Sequence, residues 1–210
     1  MGASALQKDR DGLCFFGQVS AVISHDLKNV LAIINEDAGL LQDFSLMAAQ
    51  GMELDPPRLV KLAEKIQGQV KRGDGIIKNM NRFAHSVDLP VCDVDFRELT
   101  TLVISLLTRM ASRKCVTVTL KEGEQVNGKG DPFTIQMLIA KALEYSMDSA
   151  GRDGELCIEL STADGVNVLT ISGLSAVIPE EQLAELESIS VKAGGKPAYV
   201  RQDNILILNF

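Results

Sequence analysis

The chain has 210 residues, 46% of them apolar, and a formal net charge of −7 at pH 7. That length and apolar content suffice for one or two packed domains. The acidic balance, with a pI of about 4.9, argues against nucleic acid and anionic membrane as partners; with no apolar run of about 18 residues and no signal-peptide pattern, the protein is expected to be soluble and cytoplasmic.

Residues 1–11 are polar and are expected to form a flexible N-terminus. A first helix is expected from about Gly12 to Ala49, because Ile23, Leu27, Val30, Ile34, Ala38 and Leu41 recur at alternating steps of three and four. His25 lies off that stripe and so faces water, with Asn29 four residues on along the same face and Asp26 at the edge of the seam. The helix breaks around residues 51–55. Asp55-Pro56 then reads as an N-cap followed by the first residue of a second helix.

In that helix Leu59, Leu62, Ile66, Val70, Gly73, Ile77, Met80, Ala84 and Val87 fall at threes and fours. Gly73-Asp74-Gly75 interrupts it at about 1 kcal/mol per glycine relative to alanine, which predicts a bend or a close helix contact. Two long helices with a short connection form an antiparallel hairpin. A hairpin alone cannot bury a stripe on both helices, so a homodimer forming a four-helix bundle is expected. Lys61, Lys65, Lys71, Arg72, Lys78 and Arg82 read as a solvated basic face able to steer an acidic partner. His85 reads as a solvated residue in the last turn of the second helix, complementing its dipole.

Leu89-Pro90 divides a helical domain, residues 12–89, from a second domain, residues 90–210. The second domain alternates strands and helices: a strand over 91–95, a helix over 96–112, a strand over 116–120, and a helix from Asp131-Pro132 to Ala150. Strands over 156–160 and 166–171 follow, joined by a turn at Asp164-Gly165, then a short helix over 179–188 and a hairpin of 198–201 with 205–209. The fold class is α+β, a mixed sheet with helices on one face. Glu180, Glu181, Glu185 and Glu187 read as a solvated acidic face. Cys14, Cys92, Cys115 and Cys157 are scattered without metal-binding spacing and read as reduced, mostly buried thiols.

The chemistry concentrates at Ser24-His25-Asp26-Leu27-Lys28-Asn29. A neutral imidazole is a nucleophile near neutral pH. A neighbouring carboxylate can take a proton from the ring or fix its tautomer, and an amide one turn on can bond a water or a phosphoryl oxygen. Phosphoryl transfer needs mainly positioning and charge neutralisation, and an exposed helix face leaves room for a second protein to bring the metal. The run Ser24-His25-Asp26-Leu27-Lys28-Asn29-Val30-Leu31 resembles the H-box of bacterial sensor histidine kinases, with Val30 where proline is usual. The resemblance implies that His25 accepts the phosphoryl group, that Asp26 is its acid/base or orienting partner, that Lys28 offsets charge, and that Asn29 assists any phosphatase activity.

The second domain is similar in order and length to the ATP-binding domain of those kinases. Asp93 to Leu99 looks like its opening, and Gly130-Asp131-Pro132 like the segment before its nucleotide-binding helix. In that alignment Lys141 and Tyr145 stand in place of two asparagines, Tyr145 replacing the magnesium ligand, and Glu144 keeps its carboxylate. Counted back from Ile178-Pro179, Gly173 takes the place of the adenine-binding aspartate, and Ser175 and Val177 those of two glycines. Gly194-Gly195-Lys196 reads as an ordinary turn rather than a phosphate loop, which requires a helix N-terminus.

The combination resembles phosphorelay histidine phosphotransferases built on a kinase-like dimer with a degenerate ATP domain. It implies transfer of a phosphoryl group between response-regulator aspartates through His25. The cofactor expectation is none of its own: Mg2+ sits on the partner receiver domain, and ATP is not expected to bind. Alternatives are an ATP-dependent histidine kinase with a divergent nucleotide site, and a non-enzymatic adaptor or phosphatase that binds a regulator.

Overall fold

The computed structural model describes residues 2–88, 90–193 and 205–210. Helix α1 runs Gly2–Ala49 and helix α2 Pro56–Ala84. The segment expected to be flexible therefore lies in the first turns of α1. Ala3, Ala5, Leu6, Gln7 and Lys8 are all good helix formers, and nothing before Gly12 interrupts them. The helix ends in a Schellman motif: Gly51 N–H bonds Ala48 O at 2.9 Å and Met52 N–H bonds Met47 O at 3.1 Å. At the start of α2, Asp55 O accepts from the N–H groups of Arg58 and Leu59 at 3.1 and 3.3 Å, and Pro56 sits where a helix has no use for an N–H.

The chain divides into two compact units, residues 16–82 and residues 1–15 with 83–210. The division falls inside both helices rather than at Leu89-Pro90. Phe15, Phe83 and Phe133 explain why: their ring centroids lie 5.6 to 6.0 Å apart, so the end of α2 and the first part of α1 pack with the second unit.

In the hairpin of residues 16–82, Ile23 and Val30 are buried and Leu27, Ile34 and Leu41 half-buried, as the stripe predicts. Ala38 is exposed, and Asp37 takes the inward place instead, fully buried at 0% exposure. Asp37 Oδ1 accepts a hydrogen bond from Lys65 Nζ at 2.7 Å, while Oδ2 is buried without a hydrogen-bond partner. An apolar pair would serve stability as well as such an ion pair. The ion pair adds a specific match between one residue of α1 and one of α2, which favours a single register. Gly73 is buried, and a Cβ there would meet Val30 Cγ1 at 3.4 Å. The close contact allowed by the glycine-rich stretch is therefore present, in a helix that continues through it.

The second unit is α+β. After a 3-10 turn at His85–Val87 come β1 (Cys92–Asp95), α3 (Phe96–Lys114), β2 (Thr117–Leu120), β3 (Asn127–Gly130), α4 (Pro132–Ala150), β4 (Glu155–Ala163), β5 (Val166–Ser172), α5 (Glu180–Lys192) and β6 (Ile205–Asn209). A four-stranded sheet has the order β2-β4-β5-β6, with β2 parallel to β4 and the other pairs antiparallel. The separate β1–β3 ribbon is antiparallel. Asn127-Gly128-Lys129-Gly130 has no β-branched or alternating signal, so β3 exists through its pairing with β1 and not through propensity.

Alternate residues of the sheet, Leu156, Ile158, Leu160, Leu169, Ile171, Leu206 and Leu208, are buried, as the period of two requires. Helix α4 buries Ile135, Leu138, Ile139, Leu143 and Met147, and is buried nearly all round, as the central helix of a layer should be. Asp95 caps α3 by accepting from the N–H groups of Arg97 and Glu98, and Asp131 caps α4 by accepting from those of Phe133 and Thr134. Helix α5 runs four residues beyond the expected Ser188, to Lys192. The expected strand 198–201 and the turn 194–196 lie outside the described residues.

Two measurements test these points. Lys65→Met should be less stable in urea than the double variant Asp37→Leu/Lys65→Met, because the single variant leaves a buried carboxylate alone. The pKa of Lys65 is raised above 10.5, chiefly by its hydrogen bond to Asp37. The pair's contribution is therefore complete below pH 10.5 and is lost as pH rises through the raised value. The stability gap between wild type and the double variant should shift in that direction above pH 10.5.

Candidate functional site

His25 projects from the middle of α1 and is exposed, as are Lys28 and Asn29; Asp26 is half-buried. The helix fixes this grouping. Ile23, buried two residues before His25, and Val30, buried five residues after, turn the histidine outward. Asn29, one turn on, places its Nδ2 3.2 Å from His25 Nδ1. An amide in that position can hold the ring in one orientation and select its tautomer. Thus the structure brings His25 and Asn29 together, with Asp26 adjacent in the chain and Lys28 on the exposed side.

His85 makes an exposed pair with Asp88, Nδ1 to Oδ2 2.7 Å, at the 3-10 turn. This is the solvated role expected for it. The cysteines differ from expectation: Cys14 and Cys115 are exposed and Cys92 and Cys157 half-buried. Cys115 is the left-handed C-cap of α3, at φ 54°, which carries its side chain off the core face of the helix. Among the described residues no cluster of His, Cys, Asp and Glu is arranged to hold a metal ion.

The residues at the aligned nucleotide positions are engaged with one another. Tyr145 Oη donates a hydrogen bond to Glu185 Oε2 of α5. Lys141 Nζ lies 3.2 Å from Glu144 and 3.9 Å from Glu185, and 5.7 Å from the centre of the Tyr145 ring. The phenol pKa is pushed well above its usual range, first by burial, then by Glu185, with Glu144 and Glu181 adding to it. Glu185 stays exposed, as expected of the acidic face, and reaches Tyr145 and Lys141 from there.

The loop after β5 is also tied down. Ser149 O accepts from Ser175 N–H and Ala176 N–H at 3.3 and 3.1 Å, and Ser149 Oγ donates to Ala176 O. Gly173, at φ +97°, has no room for a side chain: a Cβ would penetrate the carbonyl oxygen of Glu155. A cavity of about 150 Å³ lies between α3, β2 and α4, lined mainly by Ile104, Leu107, Val116, Val118, Leu143 and Met147. Thr108 and Ser112 add hydroxyls to a mostly apolar lining, which includes none of His25, Asn29, Lys141, Glu144, Tyr145 and Glu185.

No protein-family model matches the chain, and no curated protein matches it. Solved histidine kinases do. The Acinetobacter baumannii histidine kinase AdeS shares 15% identity, over 82% of this chain and 92% of its own, with a TM-score of 0.47. A bacterial phosphotransferase shares 16% identity, over 94% of this chain and 95% of its own, also at 0.47. Histidine kinase ThkA in complex with the response regulator protein TrrA shares 18%, over 97% of this chain and 64% of its own, again at 0.47. No described helix is long and apolar enough to cross a membrane.

The networks in the second unit were not foreseen. The spacing of Lys141, Glu144 and Tyr145 on one helix face was visible in sequence; their meeting with Glu185 of α5 required the fold. Two substitutions follow from this geometry. Gly173→Ala should lower unfolding free energy by at least ~2 kcal/mol, because a left-handed residue is strained and its Cβ collides with backbone. Gly165→Ala, at φ +78° but with open space around it, should cost only about 1 kcal/mol. Equal losses in urea titrations of the two variants would contradict the close approach at Gly173.

Proposed function

We propose that this protein is a cytoplasmic histidine phosphotransferase of two-component signalling, moving a phosphoryl group between response-regulator aspartates through His25. The observation that carries the reading is an H-box-like run that places an exposed His25 at mid-helix, with Asn29 3.2 Å from its ring.

In the proposed step a ring nitrogen of His25 attacks the phosphorus of an aspartyl phosphate on a receiver domain. The N–P bond forms as the acyl O–P bond breaks, and the regulator's carboxylate leaves. The ring gains positive charge, which Asp26 offsets or relieves by taking the proton from the other ring nitrogen. Lys28 offsets charge on the phosphoryl oxygens. Mg2+ belongs to the acidic pocket of the receiver domain. ATP is not the donor, a reading supported by Tyr145 and Gly173 at the positions where the resemblance requires an asparagine and an aspartate.

The hairpin is proposed to dimerise into a four-helix bundle. Leu31 on α1 and Val70 and Ile77 on α2 support this, being 63%, 49% and 45% exposed. Apolar side chains repeated along a hairpin are the usual seam of such bundles. Light scattering on the purified protein should give the mass of two chains, and Val70→Glu/Ile77→Glu should give one.

The Asn29 contact favours a second reading, that the same face promotes dephosphorylation of a bound regulator. One experiment separates the two. A panel of receiver domains bearing labelled aspartyl phosphate is mixed with the protein. Phosphotransfer predicts label on His25, none on His25→Ala, and a rate lowered roughly 10²–10⁴-fold in Asp26→Asn. Loss of label to inorganic phosphate without any phosphohistidine, sensitive to Asn29→Ala and not to His25→Ala, would support the phosphatase. His25→Ala should keep its unfolding free energy within about 0.5 kcal/mol, since the residue is exposed.

A further inference from the structure

The contact between α4 and α5 is crowded with charge. Glu144 lies on α4, and Glu181 and Glu185 lie on α5; all three act on the phenol of Tyr145. Glu144 is half-buried and Glu181 and Glu185 are exposed; like charges on two facing helices repel one another. In nucleotide-binding domains of the kind this region resembles, a metal ion and a polyphosphate would settle the charge. The residues present do not fit that group. The position expected to ligate the metal carries Tyr145, whose hydroxyl is spent on Glu185, and the position expected to read the adenine is Gly173, where no side chain fits.

We infer that Lys141 is an internal counter-ion that, with Tyr145 as a strut, fixes α5 on α4 in place of a bound ligand. The Lys141 side chain is 23% exposed, and its ammonium sits between Glu144 at 3.2 Å on its own helix and Glu185 at 3.9 Å on the other. The same ammonium lies over the Tyr145 ring, 5.7 Å from its centre, at a range where a cation is attracted to an aromatic face. Tyr145 Oη completes the bridge by donating to Glu185. One cation and one hydroxyl thus satisfy Glu185 from α4, and the helix needs no exogenous ion. The fixed charge travels with the chain, so the position of α5 does not depend on ligand concentration. This inference is independent of the reaction assigned to His25.

The test is hydrogen exchange along α5 in the full chain, read against the strands β4 and β5 as internal controls. Wild type should show α5 protection unchanged by Mg2+, alone or with ADP. Lys141→Met should raise exchange in α5 by about tenfold or more, the scale of one hydrogen bond to a charged group, while the strands keep their protection. Lys141→Arg should restore protection. Salt supplies a readout that lost packing would not move: NaCl should slow α5 exchange in Lys141→Met by screening the unpaired carboxylates, and should not slow it in wild type. Tyr145→Phe keeps the ring and should give a smaller rise. If Lys141→Met fails to fold, Tyr145→Phe decides the matter: a rise in exchange confined to α5 supports the inference and unchanged α5 protection overturns it. Unchanged α5 protection in Lys141→Met, or protection in wild type that rises with Mg2+ and ADP, would overturn the inference.

Discussion

The hairpin depends on one constraint: each helix must give its neighbour a continuous stripe of side chains. Val30 and Asp37 on α1 meet Gly73 and Lys65 on α2, Ile23 and Leu62 are buried along the same hairpin, and whatever is not on the stripe is turned outward. His25 is two residues from Ile23, so its exposure is a by-product of packing and not an independent design. A single-residue slip of the stripe would rotate the histidine by about 100° toward its neighbour. The salt link between Asp37 and Lys65 matters for that reason. It is a poor source of stability and a good marker of register. It lies three turns from the imidazole on the same helix, where an error in pairing would move the ring.

The second unit solves a different problem. Its helices share one face of a four-stranded sheet, and α4, buried nearly all round, must meet α3, α5 and the strands together. Burial on that scale leaves little tolerance for charge, yet Lys141, Glu144 and Tyr145 project from α4 toward α5. They are acceptable because they answer one another. Similar economy holds the loop after β5, where Ser149 binds Ala176 by backbone and side chain together. Both devices use short-range polar contacts within the chain at positions where the family resemblance leads one to expect a ligand.

Much of this was legible in the sequence, for identifiable reasons. Long stripes fixed the existence of α1 and α2, and Asp55-Pro56, Asp131-Pro132 and Asp164-Gly165 marked starts and turns, because capping and turn chemistry are local. The face bearing His25 and Asn29 followed from the same periodicity. What was missed depends on residues far apart in the chain. Strand β3 has no strand-like composition and is created by its partner β1. The inward place of Asp37 breaks the rule that stripes are apolar and is intelligible only beside Lys65. Glu185 looked like one acid among several on a solvated helix, and its role appears only when Tyr145 is brought to it.

Strand β2 is the parallel edge of the four-stranded sheet. It lies at the end of the sheet, and its backbone row away from β4 spans only Thr117–Leu120 among the described residues. Parallel edges of this kind are open templates for a strand from another molecule. Here the template is four residues long, begins just after a left-handed Cys115, and is followed by Lys121, whose ammonium is paired with Glu159 2.8 Å away. A foreign strand would gain few backbone bonds and would have to displace a charge to lengthen the match. The domain can therefore present a bare sheet edge at high concentration with little tendency to polymerise through it.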